Sequence, residues 1–416
     1  MHIWRKTDSG AWLLISSQLL AAIPMGFLIV ALPIYLDHIG LHPELIGTLF
    51  TISGIASAAL LVVFGILADR YGRKLFVVVG TALPVLSYLI LASTISRPLL
   101  LVASAVGGIG LAGGMSGALV TSGYNALLSE KSSPEVRTSV FSIAEMAWVV
   151  AVFIGSLLAG LPHQLQTRFG QSYQSSFHST FVLLLALGVL STLVVLPVQE
   201  DKRAIAARPH WLPRASARRI GLLSLTLGML GLGLGFIVQL LPLWFHLQFH
   251  VSEAFLGPWF GVAQILALGS LALAAPVSRT MGPVPFVVLT QGLASAVLVL
   301  MAFAPGASVA AMLWVCRTIV MNASWPVQQS YIMGVVEPSE RASASSLTYA
   351  AWSITGALTP PIGGALLGAH LYTVPFLLGA VCYAIAIGIF YWFFHAVHPL
   401  PEEREVTAYG PAPAAD

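Results

Sequence analysis

Charge is the scarcest property of this 416-residue sequence: only 8% of its residues are Asp, Glu, Lys or Arg. Soluble domains carry about 25%, because a water-facing surface needs them. The shortage excludes a water-exposed globule and leaves a lipid-facing one. Cysteine is also scarce. Cys316 and Cys382 are the only two, and both lie in apolar stretches, which excludes a disulfide framework and a cysteine metal site. No G-x-x-x-x-G-K-[ST] phosphate loop occurs, so ATP is not the direct energy source. No histidine lies deep in an apolar run and only one carboxylate does, so an intramembrane enzyme has no cluster to work with. No enzyme activity, cofactor, metal or nucleic-acid partner is expected.

What is present is hydrophobic length. A bilayer-crossing helix needs about 20 mostly apolar residues. Six windows meet this at 11–36, 45–68, 75–95, 98–128, 137–161 and 177–198, and six more at 218–246, 254–278, 283–304, 308–336, 341–369 and 373–396. The expected fold is an all-α membrane protein, with twelve transmembrane helices in two pseudo-symmetric six-helix bundles. Residues 1–198 form the first bundle and 218–396 the second. A polar linker, 199–217, joins them, and 397–416 is a tail expected to be disordered. Met1 to Gly10 is short and polar, and the run after it is long enough to cross and stay, so no cleaved leader is expected.

Lys and Arg fix the orientation. Sixteen of the nineteen fall in loops on one side; Arg97 and Arg168 lie on the other, and Arg317 lies within a span. Both termini are therefore expected in the cytoplasm, in a bacterial-type inner membrane. The halves also match internally. Pro134-Glu135-Val136-Arg137 opens helix 5, with Trp148 eleven residues after its Arg; Pro338-Ser339-Glu340-Arg341 opens helix 11, with Trp352 at the same distance. The offset of 204 also carries Gly160 to Gly364 and Glu145 to Tyr349. A weaker echo relates Asp69-Arg70-Tyr71-Gly72 to Ser278-Arg279 and Gly282. Duplicated halves of this kind expose a midplane site alternately to each side.

Between helices 2 and 3 the chain reads Gly65-Ile66-Leu67-Ala68-Asp69-Arg70-Tyr71-Gly72-Arg73-Lys74. This resembles motif A of the major facilitator superfamily, G-x-L-x-D-R-x-G-R-K, in the correct loop of a twelve-helix chain. The resemblance implies a conformational switch made of Gly65, Asp69, Arg70, Gly72, Arg73 and Lys74, in which Asp69 latches onto the start of helix 11. It also implies a cavity lined by helices 1, 4, 7 and 10. The family's L-x-x-x-R spacing belongs on helix 4, where this sequence has Leu100 and Ser104; it occurs instead on helix 10, as Leu313 to Arg317. The Gly-Pro-rich antiporter pattern of helix 5 is missing, while helix 11 carries Gly356, Pro360, Pro361, Gly363 and Gly364. Transport direction is therefore open at this level.

Charges inside spans cost about 2.5–3.5 kcal/mol on insertion scales, so the two that lie deep are informative. Glu145 is the candidate proton site, with Trp148 beside it; a carboxylate bonded between helices is the other reading. Arg317 is a candidate for an anionic substrate group or a charge network, or else a structural arginine. Helical spacing places Ser324 and Gln328 on its face. Gln18 and Gln239 are cavity candidates on helices 1 and 7, and Tyr349 and Trp352 on helix 11. The resemblance points to a secondary transporter working as a monomer in the lipid bilayer. It would use protons to export small hydrophobic or amphipathic compounds. An uptake symporter or facilitator for an organic anion or metabolite is the alternative, and a transporter-like sensor a third.

Overall fold

The computed structural model describes residues 8–108, 113–133, 136–200, 216–337 and 340–397. Their secondary structure is helical. In order come α1 (Ser9–His38), α2 (Pro43–Tyr71), α3 (Arg73–Ser93), α4 in two pieces (Arg97–Val106 and Gly114–Glu130), α5 (Arg137–Leu158, then Leu161–Phe169) and α6 (Tyr173–Val195). The second set is α7 (Ala217–Ile237 and Leu241–Phe249 across a short 3-10 turn), α8 (Glu253–Met281), α9 (Pro283–Ala302), α10 (Ala307–Val335), α11 (Arg341–Leu358, then Pro360–Gly368) and α12 (Val374–Phe394). Ten of these are long and apolar enough to cross a membrane, α5 and α7 among them across their breaks; α4 and α11 are each split into shorter helices. Lipid offers the backbone no hydrogen bonds, so helices that satisfy their own groups are the stable form.

The ends follow local chemistry. The Asp8 carboxylate accepts from Gly10 N at 2.9 Å and caps α1, and Ser172 Oγ accepts from Ser175 N at 3.2 Å to cap α6. Gly72, at φ +102°, ends α2 and starts α3; Gly282, at φ +87°, does the same between α8 and α9. A side chain is strained at such φ, which gives the sequence echo at these two turns a physical cause.

The helix partners repeat between halves. In the first half α1 packs on α5 and α6, α3 on α4 and α6, and α2 on α4; in the second α7 packs on α11 and α12, α9 on α10 and α12, and α8 on α10. The match extends to single residues. A Cβ added at Gly26 of α1 would overlap the Val152 carbonyl of α5, and one at Gly235 of α7 would overlap the Gly356 carbonyl of α11. Val152 and Gly356 stand 204 residues apart, the offset read from the sequence.

The halves meet near the face opposite the start of α1 and the end of α12. There Gly47 of α2 abuts the Pro360 carbonyl, Gly364 abuts Pro43, and Gly257 and Gly261 of α8 abut Ser156 and Phe153 of α5. Small residues allow this backbone approach. On the face bearing Ser9, the start of α1 is tied to the α4–α5 loop by the Asp8–Lys131 pair, 3.8 Å apart. The start of α7 is tied to the α10–α11 loop by Ser216 N donating to Glu340 at 2.7 Å. The 199–217 linker is described only at its ends, and the tail beyond Val397 lies outside the described residues.

The widest departure from the expected helices is in α4. The window 98–128 reads as one helix, but the structure breaks it after Val106. Gly108, Gly113 and Gly114 have φ of +82°, +67° and +56°. Glycines in that region abandon helical hydrogen bonding, and such backbone is tolerated at membrane depth only where protein or a water-filled cavity receives it.

Candidate functional site

A cavity of about 890 Å³ lies between the two halves. That falls within the roughly 300–1,000 Å³ of sites that enclose drug-sized ligands. Its wall includes Gly107, Gly108 and Gly113, so the break in α4 opens onto this space. Of the residues expected here, Gln18, Glu145, Trp148, Gln239, Arg317, Tyr349 and Trp352 line it. Residues from α2, α3, α5, α6, α8 and α11 contribute as well as those from α1, α4, α7 and α10, so the wall is broader than the four-helix lining expected.

Ser324 and Gln328 are corrections. Both are 1% exposed and neither reaches the cavity. Gln328 Oε1 accepts from Gln291 Nε2 of α9 at 3.0 Å, and Ser324 Oγ donates to Met321 O of its own helix at 2.8 Å. Helical geometry explains the error. At about 100° per residue, the cavity-lining Trp314, Thr318, Met321, Asn322 and Trp325 centre about 80° round α10 from Arg317. Ser324 and Gln328 stay within about 20° of Arg317 itself. Arg317 therefore sits at the edge of the lining face, and its neighbours along that line point into the bundle.

Arg317 is 4% exposed. Its Nη2 donates to the Tyr383 hydroxyl of α12 at 2.8 Å. The guanidinium lies 5.3 Å from the Trp314 ring centre and 5.7 Å from that of Tyr383. Each desolvated cation–ring contact contributes about 0.5–2 kcal/mol, so the rings of Trp314 and Tyr383, the latter also through its hydroxyl, hold the guanidinium. Among the described residues no carboxylate comes within 4 Å of it, and its Nε has no partner. Tyr383 was absent from the expected site, because α12 is apolar throughout and nothing in its spacing marks one tyrosine.

Glu145 is exposed into the cavity from α5. In the second half, rings line the wall. Trp325 and Trp352 have centres 5.8 Å apart, and Trp352 and Tyr349 5.6 Å. Tyr349, the repeat counterpart of Glu145, thus occupies the same cavity from the other side. Gln239 is partly committed, its Nε2 donating to Gly356 O at 3.1 Å.

The motif-A turn lies at the Ser9 face, outside the cavity. Gly65, Asp69 and Arg70 lie in α2, Gly72 is the turn, and Arg73 and Lys74 open α3. The Asp69 side chain, and with it the expected latch to α11, lies outside the described residues. Another carboxylate performs a related task. Glu200, just beyond α6, accepts from Arg73 N at 2.8 Å and Lys74 N at 2.9 Å, an anion held on the positive end of α3. A carboxylate distant in sequence gave no signal of this cap.

This architecture can be set beside known proteins. The family model described as Major Facilitator Superfamily matches residues 14–321 and 296–416. The chain belongs to the major facilitator superfamily. Like its relatives it is a multi-pass membrane transporter, not an enzyme. A quinolone resistance protein, NorA of Staphylococcus aureus, is 25% identical over 149 residues, which is 35% of this chain and 37% of that protein. The match therefore spans little more than a third of the curated relative. Among solved structures, a bacterial homologue of the human lysosomal transporter Spinster, inward-facing and unoccupied, has a TM-score of 0.71 at 15% identity and covers 92% of this chain and 96% of its own. The nucleoside transporter NupG scores 0.71 at 14% identity, covering 92% and 98%. A D-xylose–proton symporter scores 0.69 at 14%, covering 92% and 97%. At identities this low, the TM-scores show a shared fold.

Proposed function

We propose that this protein is a secondary active transporter that exports small hydrophobic or amphipathic compounds in exchange for protons, by alternating access. The observation that carries the reading is the cavity wall: one carboxylate, Glu145, exposed on the first half, and a run of aromatic rings, Trp325, Trp352 and Tyr349, on the second. Rings supply apolar contact to varied ligands, and a carboxylate inside a membrane is the natural seat for a proton or a cationic group. The partial likeness to NorA favours export. With most Lys and Arg on the Ser9 face, that face is cytoplasmic in a bacterial-type inner membrane, and the seam closed by Gly47, Gly257 and Gly364 is outer. The protein acts as a monomer, because each half is completed by its own pseudo-symmetric partner.

The test is dye flux in proteoliposomes of purified protein under an imposed pH gradient. A lipophilic cationic dye should move against its gradient when protons flow the other way, and Glu145→Gln should stop it. Dye movement indifferent to the gradient, or equal in Glu145→Gln, would overturn the reading. A second reading, uptake of an organic anion, draws on the buried Arg317 with its unpartnered Nε at the cavity edge. Saturable counterflow of a radiolabelled aromatic carboxylate, lost in Arg317→Met, would favour it over export of cations.

A further inference from the structure

The outer seam carries a second set of titratable groups that the cavity does not use. The Nε2 of His246, near the end of α7, lies 3.9 Å from the Asp37 carboxylate at the end of α1, a contact between the two halves that is an ion pair only when the imidazole carries its second proton. The other nitrogen of His246 is committed: Nδ1 meets the Val251 carbonyl at 2.9 Å, and a carbonyl only accepts. Nδ1 therefore carries a proton, and Nε2, which faces Asp37, is the atom free to gain or lose one. Glu253, at the start of α8, is 3% exposed and makes no ion pair with any described cation.

The surroundings come from every element at this seam. Asp37 feels His246 of α7 together with His38 and His42 beside it. Glu253 feels His246 and His163, the latter on the extension of α5. Tyr173 of α6 lies within the fields of Glu253 and Asp37, and its ring is 3.8 Å from that of His38. Glu44, at the start of α2, is exposed beside Gly364, and His250 and His370 are exposed at the same face. No Lys or Arg balances the two carboxylates within 4 Å among the described residues.

We propose that Asp37, His246 and Glu253 form a second proton-binding site, whose occupation holds the outer seam shut. Closing the seam brings Asp37 of the first half, its side chain 22% exposed, up to His246 of the second, and takes Glu253 of the second half out of water. Burying unpaired negative charge is costly. A proton on His246 pairs Asp37, and a proton on Glu253 removes its charge. The closed state thus binds more protons than the open one, and whichever state binds more protons gains as pH falls. Acid on the outer side closes the seam. In an exporter this returns the empty, outward-open transporter to face the cytoplasm. The proposal rests on alternating access as read above, but not on Glu145 or on the substrate.

The test reads the seam directly. Spin labels at Arg168→Cys and Leu371→Cys, both exposed on the outer face, are placed in a Cys316→Ser, Cys382→Ser background, and their distance is measured from about pH 5 to about pH 8, where histidine titrates. The ratio of closed to open should rise as pH falls, by up to about tenfold per pH unit for each proton taken up. Glu253→Gln, a permanent stand-in for the neutral acid, should raise the closed fraction at every pH. Adding Asp37→Asn and His246→Gln should flatten the remaining dependence. In a Glu145→Gln background, which removes the cavity's own proton site, a shift in the same direction should persist, and the triple variant should abolish it there. A shift that is absent or reversed in the parent, unchanged in the triple variant, or lost in Glu145→Gln alone would overturn the proposal.

Discussion

Helices α4 and α10 hold equivalent places in the two halves, yet they are built differently. Helix α10 runs unbroken from Ala307 to Val335 and presents Arg317, pinned by Trp314 and Tyr383. Helix α4 has Ser104, whose hydroxyl donates to the Leu49 carbonyl, and then breaks at a glycine cluster that opens onto the cavity. The contrast extends to their neighbours. On α5 the first half exposes Glu145; on α11 the second half exposes Tyr349 at the matching position. Duplication preserved the helix pairings and the glycine contacts between α1 and α5 and between α7 and α11. The chemistry diverged. The first half carries the cavity's carboxylate on a wall with irregular backbone; the second carries a fixed cation among rings.

The largest effect that would break this contrast is in transport. Glu145→Gln should reduce proton-driven flux to background in the proteoliposome assay, whereas Tyr349→Phe, its repeat counterpart, should keep most of it. Equal losses would mean the halves share the work. Next come the matched glycines. Gly26→Leu and Gly235→Leu each force a side chain into a carbonyl of the paired helix, and overpacking of this kind costs about 1–3 kcal/mol or more. Both should lower the unfolding temperature by similar amounts, and a harmless change in either would deny the equivalence.

Arg317→Lys should cost less, about 1–2 kcal/mol, because a lysine cannot stack its charge as a planar guanidinium does. Thermal unfolding should show the loss, and Tyr383→Phe should show part of it. The smallest effect is expected at the corrected position. Replacing Gln291 and Gln328 together by leucine removes both partners of a buried amide pair, which is nearly neutral. Flux should be unchanged; its loss would return Gln328 to the transport pathway.

Much of the fold was legible because lipid imposes strict rules. Length and apolarity placed twelve helices, and contacts the structure makes at Val152 and Gly356 repeat at the same 204-residue offset. The cavity was legible where a rare residue marks it: Glu145 and Arg317 stand out because charges in spans are costly. Lines drawn along a helix were weaker guides. The face through Arg317, Ser324 and Gln328 was sound geometry, but a long side chain reaches the cavity from the edge of the lining face while shorter ones on the same line do not. The glycine break in α4 was hidden, because an apolar window cannot separate helix from loop. Tyr383 and Glu200 act across the tertiary structure, and nothing local announces them.

Alternating access requires two matched bundles to rock about the cavity, with the outer seam opening once in every cycle. Gly368 offers the most direct check: a Cβ added there lies 3.9 Å from Pro43 Cβ across the seam, close to the spacing in a disulfide. A Pro43→Cys, Gly368→Cys transporter, with its native cysteines replaced by serine, should transport when reduced, stop when oxidised and recover on reduction. Full transport by the oxidised, cross-linked protein would mean that the seam stays shut throughout the cycle and that the bundles do not rock.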